Sequence, residues 1–297
     1  MPITKMSAKP IAFLALLLGS AAIAFAPVFV RIADVSPAAS AFWRMALAAP
    51  LLWMWVYAGA RNERSNTVPG APQWKLLALA GFFFAGDLAA WHWSILFTSV
   101  ANATLELNFA AIFVTLGGWL LFRERVSKLF LCALLVTFLG ATLLIGPNVG
   151  GTRQALLGDA LGLLAGLCYA GYMLAIKSAS RSVETPRIMA VSTTAAAIAL
   201  LPFALSTSVH FLPQSAAGWL VLVGLALVAH VLGQSLIAYG FSHLPAALSS
   251  ASLLLQPVFA AAYAWVLLGE RIAPLQMVGG VIVLLGIYLA RRGSASA

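Results

Sequence analysis

Charge is scarce in this sequence. Only 8% of its 297 residues are Asp, Glu, Lys or Arg while 62% are hydrophobic, which excludes an ordinary water-soluble domain, where about a quarter of residues carry charge. Cysteine is nearly absent as well. Cys132 and Cys168 both fall inside apolar runs, where a thiol behaves as a small buried hydrophobe, so they read as packing residues and carry no information on redox compartment. Polar stretches of domain length are missing: the breaks between apolar runs leave room for loops and tails only. Missing too are an HExxH, a Cys/His set, a glycine-rich phosphate loop and a nucleophile with its base, so the sequence implies no enzyme, no metal and no cofactor. The net charge of +9 does not point to nucleic acid, because the basic residues sit between apolar runs rather than clustered on one face.

What is present is membrane-length hydrophobicity. Apolar runs of roughly 18–25 residues lie near 10–32, 37–59, 74–97, 100–122, 128–146, 155–177, 187–206, 215–240, 246–268 and 273–291. The chain is therefore expected to be an all-α integral membrane protein with ten transmembrane helices. A signal peptide competes for the first run, since "AIAFA" (Ala22 to Ala26) imitates a cleavage site. Against it, the run continues to Ile32 at full span length, and Pro27 is a poor residue to follow a cut. Placing the N-terminus in the cytoplasm puts Lys5, Lys9, Arg61, Arg64, Lys75, Arg123, Arg125, Lys128, Lys177, Arg181, Arg187, Arg291 and Arg292 inside and leaves Arg31, Arg153 and Arg271 outside. By the positive-inside rule both termini are expected in the cytoplasm.

Sliding the chain by 146 positions aligns "WLLFRERV" (Trp119 to Val126) with "WVLLGERI" (Trp265 to Ile272), and also Gly140 with Gly286. Each half, 1–148 and 149–297, holds five runs. An odd number makes the second half enter the membrane upside down, so the expected architecture is a pair of inverted five-helix repeats with a substrate site between them. At this point "PVFAAAYAWVLLGERIAPLQMVGGVIVLLGIYLA", Pro257 to Ala290, resembles the closing two helices of an EamA-type repeat of the drug/metabolite transporter superfamily. The first copy departs from it, with Ala111 in place of Pro257 and Arg123 in place of Gly269. Within the superfamily the chain looks most like the bacterial aromatic amino-acid exporters. The resemblance implies ten helices, cytoplasmic termini, a bacterial inner membrane and export of small metabolites. The Glu-Arg pair of each copy (Glu124 and Arg125, Glu270 and Arg271) would fall on opposite sides of the membrane, which suits a hairpin corner capping helix ends better than a substrate site.

Ionisable groups at bilayer depth normally face a bundle interior or a water-filled cavity. Counted from the outer ends of their runs, Arg44, His92 and Glu106 lie roughly 9–10 Å in and Asp87 about 16 Å in. The positions three and four away from Arg44 are small or aliphatic (Ser40, Ala41, Leu47, Ala48) and admit a neighbouring helix. Glu106 is the expected partner of Arg44, with Asn102 on the same face; the arginine could serve a substrate carboxylate or be a structural counter-ion only. Asp87 shares a face with Trp91, whereas His92 is turned about 140° from Asp87 and reads as a packing residue. The second half offers milder groups: Tyr169 and Tyr172, Gln234, and Gln256 beside a helix-kinking Pro257. Trp43 and Trp53 read as belt or lipid-facing residues. The expected substrate-binding set is thus Arg44, Asp87, Trp91, Asn102, Glu106, Tyr169, Tyr172, Gln234 and Gln256. The expected activity is alternating-access export of small neutral metabolites, above all aromatic or large hydrophobic amino acids; the alternative is multidrug export of lipophilic cations. Expected partners are a small-molecule substrate and the lipid bilayer, with no nucleic acid, and a monomer rather than a dimer, since Gly162 and Gly166 suit packing within one bundle.

Overall fold

The structure is a computed structural model that describes residues 8–60, 70–97, 107–145, 153–268 and 273–295; Asn102, Glu106, Glu270 and Arg271 lie outside the described residues. All regular structure among those described is helical. Six of the apolar runs give single helices: α3 (Pro37–Ala60), α4 (Ala71–Phe97), α6 (Lys128–Ile145), α7 (Arg153–Ala179), α8 (Thr185–Thr207) and α13 (Pro274–Ala295), while the described part of the fourth run gives α5 (Ala110–Phe122). The rest are interrupted. The first run breaks into α1 (Ala8–Ile23) and α2 (Ala26–Ile32), and the ninth into α11 (Ala246–Leu253) and α12 (Gln256–Leu268). The eighth starts as α9 (Ala216–Gly224), winds as a π-helix over Leu225–Gln234 and closes as α10 (Ser235–His243). Eight of the described apolar segments are long enough to cross a membrane, and Ala110–Phe122 and Lys128–Leu143 are shorter ones.

The exterior is as apolar as the interior. Leu129, Leu135 and Leu139 on α6 and Leu275, Val281 and Leu285 on α13 are exposed, which in water would be a severe cost and in lipid is the required surface. Cys132, expected inside, is on this exposed face of α6, since a small apolar side chain is equally at home against lipid tails. Trp43 and Trp53 also depart from expectation. Trp43 Nε1 donates to the Phe211 carbonyl in the connection between α8 and α9 (2.8 Å) and Trp53 Nε1 to Thr194 Oγ1 on α8 (3.1 Å), because a buried indole N–H needs an acceptor.

Without a hydrophobic force between helices in lipid, close approach is set by small residues. At the crossing of α6 and α13, a Cβ on Gly140 would stand 2.7 Å from the Val283 nitrogen and one on Gly286 2.8 Å from the Thr137 nitrogen. Other main pairings are α4 with α7 and α8, α3 with α8 and the π-helix, α1 with the π-helix and α10, and α5 with α7 and α11.

The connections gather at two ends. At the first, Asp34 Oδ2 accepts from the Gln214 nitrogen (3.2 Å) and Ser215 Oγ (2.9 Å), and the Ser36 nitrogen donates to the His210 carbonyl (2.9 Å). At the second, Glu124 Oε1 accepts from the Ala246 nitrogen (3.0 Å), Lys177 Nζ donates to the Leu244 carbonyl, and Ser127 Oγ donates to the Gly293 carbonyl (2.8 Å). The Glu124 carboxylate thereby caps the start of α11, where free N–H groups and the helix dipole favour a negative charge.

Candidate functional site

Between the helices lies a cavity of about 190 Å³, and the helix interruptions converge on it. Ile23, Ala24 and Pro27 from the α1–α2 break line it, as do Leu253, Leu254 and Pro257 from the α11–α12 break. The cause is local: Pro27 has no N–H for the Ile23 carbonyl, nor Pro257 for that of Leu253, so each chain opens four residues before its proline. Irregular backbone at this depth is tolerated where it faces protein or a cavity.

A third break has no proline. Before α5 the chain turns at Asn108 and Phe109, 146 positions before Leu254 and Leu255. Both turns are tightened by bonds spanning three residues, Ala111 to Asn108 (3.1 Å) and Ile112 to Phe109 (2.9 Å) in one, Leu254 to Ala251 and Leu255 to Ser252 (each 3.2 Å) in the other. Asn108 and Ala111 line the cavity too. The π-helix adds Leu225 and Gln234 and turns the Ala229 carbonyl toward α3, where it accepts from Arg44 Nη2 at 3.4 Å.

The Arg44 and Asp87 side chains come from α3 and α4. Arg44 is only 8% exposed, and its Nε has no acceptor. Its guanidinium stands 6.0 Å from the Phe84 ring centre, the outer limit of a cation–π contact. Asp87, one turn beyond Phe84, is 4% exposed and feels the Arg44 charge. Yet the two form no ion pair within 4.0 Å, and among the described residues the Asp87 carboxylate accepts no hydrogen bond. Trp91, a further turn along, presents an indole Nε1 that is buried and unpartnered. Across the cavity, the Gln234 and Gln256 amides approach the Tyr169 hydroxyl on α7, and their Nε2 atoms make no hydrogen bond of regular geometry. Four buried N–H donors therefore surround one chamber unsatisfied, each costing about 1–3 kcal/mol unless a ligand or water accepts from it.

Of the expected set, Arg44, Asp87, Trp91, Tyr169, Gln234 and Gln256 meet at this cavity, while Asn102 and Glu106 fall outside the described residues. Tyr172 does not reach it. It is fully buried beneath Phe84, stacked at 4.5 Å and 18°, with its hydroxyl 3.9 Å from Met189 Sδ. His92, expected to pack away from the Asp87 surface, lines the cavity: the chamber wraps around two adjacent rows of α4, one through Asp87 and Trp91, the other through Leu88 and His92. His92 Nδ1 lies 2.5 Å from the Leu88 carbonyl, and Nε2 is buried without a partner. Ser40, Asn108 and Ser250 also contribute; small polar residues in apolar runs carry too weak a signal to be singled out from sequence. Among the described residues no cluster of three or more His, Cys, Asp or Glu could hold a metal.

These features define a multi-pass helical membrane protein built around a largely apolar chamber with a few polar side chains. The chain belongs to the EamA-like transporter family, which it matches twice, over residues 10–146 and 156–292, and hence to the drug/metabolite transporter superfamily. An uncharacterized transporter of Archaeoglobus fulgidus is 26% identical to it over 88% of this chain and 91% of its own. A probable amino-acid metabolite efflux pump of Salmonella typhimurium is 28% identical over 74% of this chain and 77% of its own. One solved crystal structure shares the fold with a TM-score of 0.80 at 17% identity, covering 97% of this chain and 98% of that one.

Proposed function

We propose that this protein is a secondary exporter of small neutral metabolites, above all aromatic or large hydrophobic amino acids. It works by alternating access between two inverted five-helix halves, residues 1–148 and 149–297. The observation that carries the reading is the chamber itself, in which Arg44, Asp87, Trp91 and unpartnered amide donors face a space open to a ligand at the meeting of broken helices. The pairing of helices supports the repeat: exchanging the first five runs with the last five turns α4 on α7 into π-helix on α1 and maps α6 on α13 and α3 on α8 onto themselves. The names of the relatives support a non-enzymatic role.

In this reading the chain crosses a bacterial inner membrane ten times with both termini in the cytoplasm, an orientation that the basic residues support. Among the described residues the end holding Glu124 and Leu244 collects Arg123, Arg125, Lys128, Lys177, Arg181, Arg187, Arg291 and Arg292, and the Asp34 end Arg31 and Arg153. The partners in this reading are the bilayer and a small molecule, with no nucleic acid, and the working unit is one chain. Export of lipophilic cations fits less well, because the Arg44 charge would repel them.

The test is counterflow in proteoliposomes with a labelled amino-acid panel. Saturable uptake accelerated by unlabelled aromatic amino acid on the far side is expected; unsaturated flux without counterflow would mean a pore, and indifference to every amino acid would reject the substrate class.

A further inference from the structure

We propose that the chamber grips an α-amino-acid zwitterion by both charged ends, with its carboxylate at Arg44 and the Gln234 and Gln256 amides and its ammonium at Asp87. The inference deepens the exporter reading and rests on it for its physiological use. Three observations carry it. First, the Arg44 guanidinium and the Asp87 carboxyl line one buried chamber without forming an ion pair within 4.0 Å. In a low-dielectric interior a guanidinium and a carboxylate that share a chamber are drawn into contact unless packing holds them apart, and here Arg44 Nη2 reaches the Ala229 carbonyl instead, at 3.4 Å. The gap is a seat for a dipole.

Second, unsatisfied donors and a carboxylate line the same chamber. Arg44 Nε and the Gln234 and Gln256 Nε2 atoms are donors without acceptors, gathered around Tyr169 and the α3–π-helix contact, which suits a carboxylate with two acceptor oxygens. The α4 wall adds the Asp87 carboxylate, which suits an ammonium with three donors, beside the unpartnered Trp91 Nε1 and His92 Nε2. A lone cation would leave the donor cluster unsatisfied, and a lone anion would face Asp87. Third, Trp91 lies one helical turn from Asp87 on the same row, so a side chain leaving the carbon between the two charged groups has an aromatic surface to rest on.

The test separates this clamp from the transport reading. Binding to the purified full chain in detergent is measured by isothermal titration calorimetry for L-phenylalanine, for phenethylamine, which lacks the carboxylate, and for 3-phenylpropanoate, which lacks the ammonium. Phenylalanine is expected to bind at least about tenfold more tightly than either analogue. Arg44→Gln should shrink the phenylalanine–phenethylamine difference to about twofold while keeping the preference over phenylpropanoate, and Asp87→Asn should do the converse. If the unaltered protein binds phenylalanine and either analogue equally, the clamp is overturned whatever the flux, and this ligand series decides even where a variant fails to fold. If discrimination holds but counterflow is absent, the clamp stands and the exporter reading falls; if none of the three ligands binds, both fall.

Discussion

A buried guanidinium is the most demanding group in this protein. Arg44 keeps one long bond to a carbonyl and leaves Nε free, so its planar fork is only partly used by the protein itself. Lysine at this position keeps the charge on a flexible stem without the fork. Arg44→Lys is therefore expected to leave a folded protein whose counterflow of amino acid falls about tenfold, and Arg44→Ala to fall further; equal rates for Arg44→Lys and the unaltered protein would remove the guanidinium from the site. Asp87 supports a different expectation. A carboxylate in a chamber, with no fixed partner among the described residues, is a natural proton carrier. If transport is proton-coupled, flux should respond to an imposed pH gradient and Asp87→Asn should abolish that response. A gradient response that survives Asp87→Asn would assign the coupling to another group.

At the scale of elements, two contacts decide how helices meet. Glu124 reaches across the chain to cap α11 through the Ala246 nitrogen, so the hairpin corner of the first half organises a helix of the second. Removing that cap by Glu124→Ala should lower stability by about 1 kcal/mol, seen as a lower unfolding midpoint in detergent, with Glu124→Gln retaining part of it because an amide oxygen still accepts. The α6–α13 crossing is tighter. A methyl on Gly140 would meet the Val283 nitrogen at 2.7 Å and the Gly279 carbonyl at 2.9 Å, and backbone cannot move aside as a side chain can. Gly140→Ala is expected to cost about 1–3 kcal/mol, whereas alanine at Gly59, which meets nothing within 4 Å, should be nearly silent in the same melt.

Across the whole molecule the two halves of the sequence are unequal in chemistry. The position that holds Asp87 in the first half holds Gly233 in the second, where a Cβ would meet Ile23 at 2.8 Å; a carboxylate there would clash with α1 instead of facing the chamber. The first half thus brings the charges, and the second brings the Gln234 and Gln256 amides and Tyr169. The two ends of the bundle give a topological prediction. In a chain freed of Cys132 and Cys168, single cysteines at Arg125 and Gln214, both exposed and at opposite ends, should react with an impermeant thiol reagent from opposite sides of the membrane. Arg125 and Arg271 should do the same if the halves are inverted. Labelling of Arg125 and Gln214 from one side would contradict the fold itself.

The membrane class, the apolar runs and the 146-residue repeat are legible in the sequence alone, because lipid imposes the same demand on every run separately: enough consecutive apolar residues, with polar groups kept few. Arg44, Asp87 and Trp91 stand out for the same reason, as rare residues in a medium that penalises them. The assembly of the chamber is a different matter. Whether Tyr172 or His92 faces it depends on how far the space extends around α4 and where Phe84 rests, which is a property of several helices together. The turn at Asn108 and Phe109 has no proline to announce it and mirrors the proline-led turn at Leu254 and Leu255. The π-helix over Leu225–Gln234 likewise has no local signal and is the winding that meets α1 and presents Ala229 to Arg44. Hydropathy acts on one helix at a time and can be read in one dimension; the site is made where residues more than a hundred positions apart come into contact, and only tertiary packing decides which of them do.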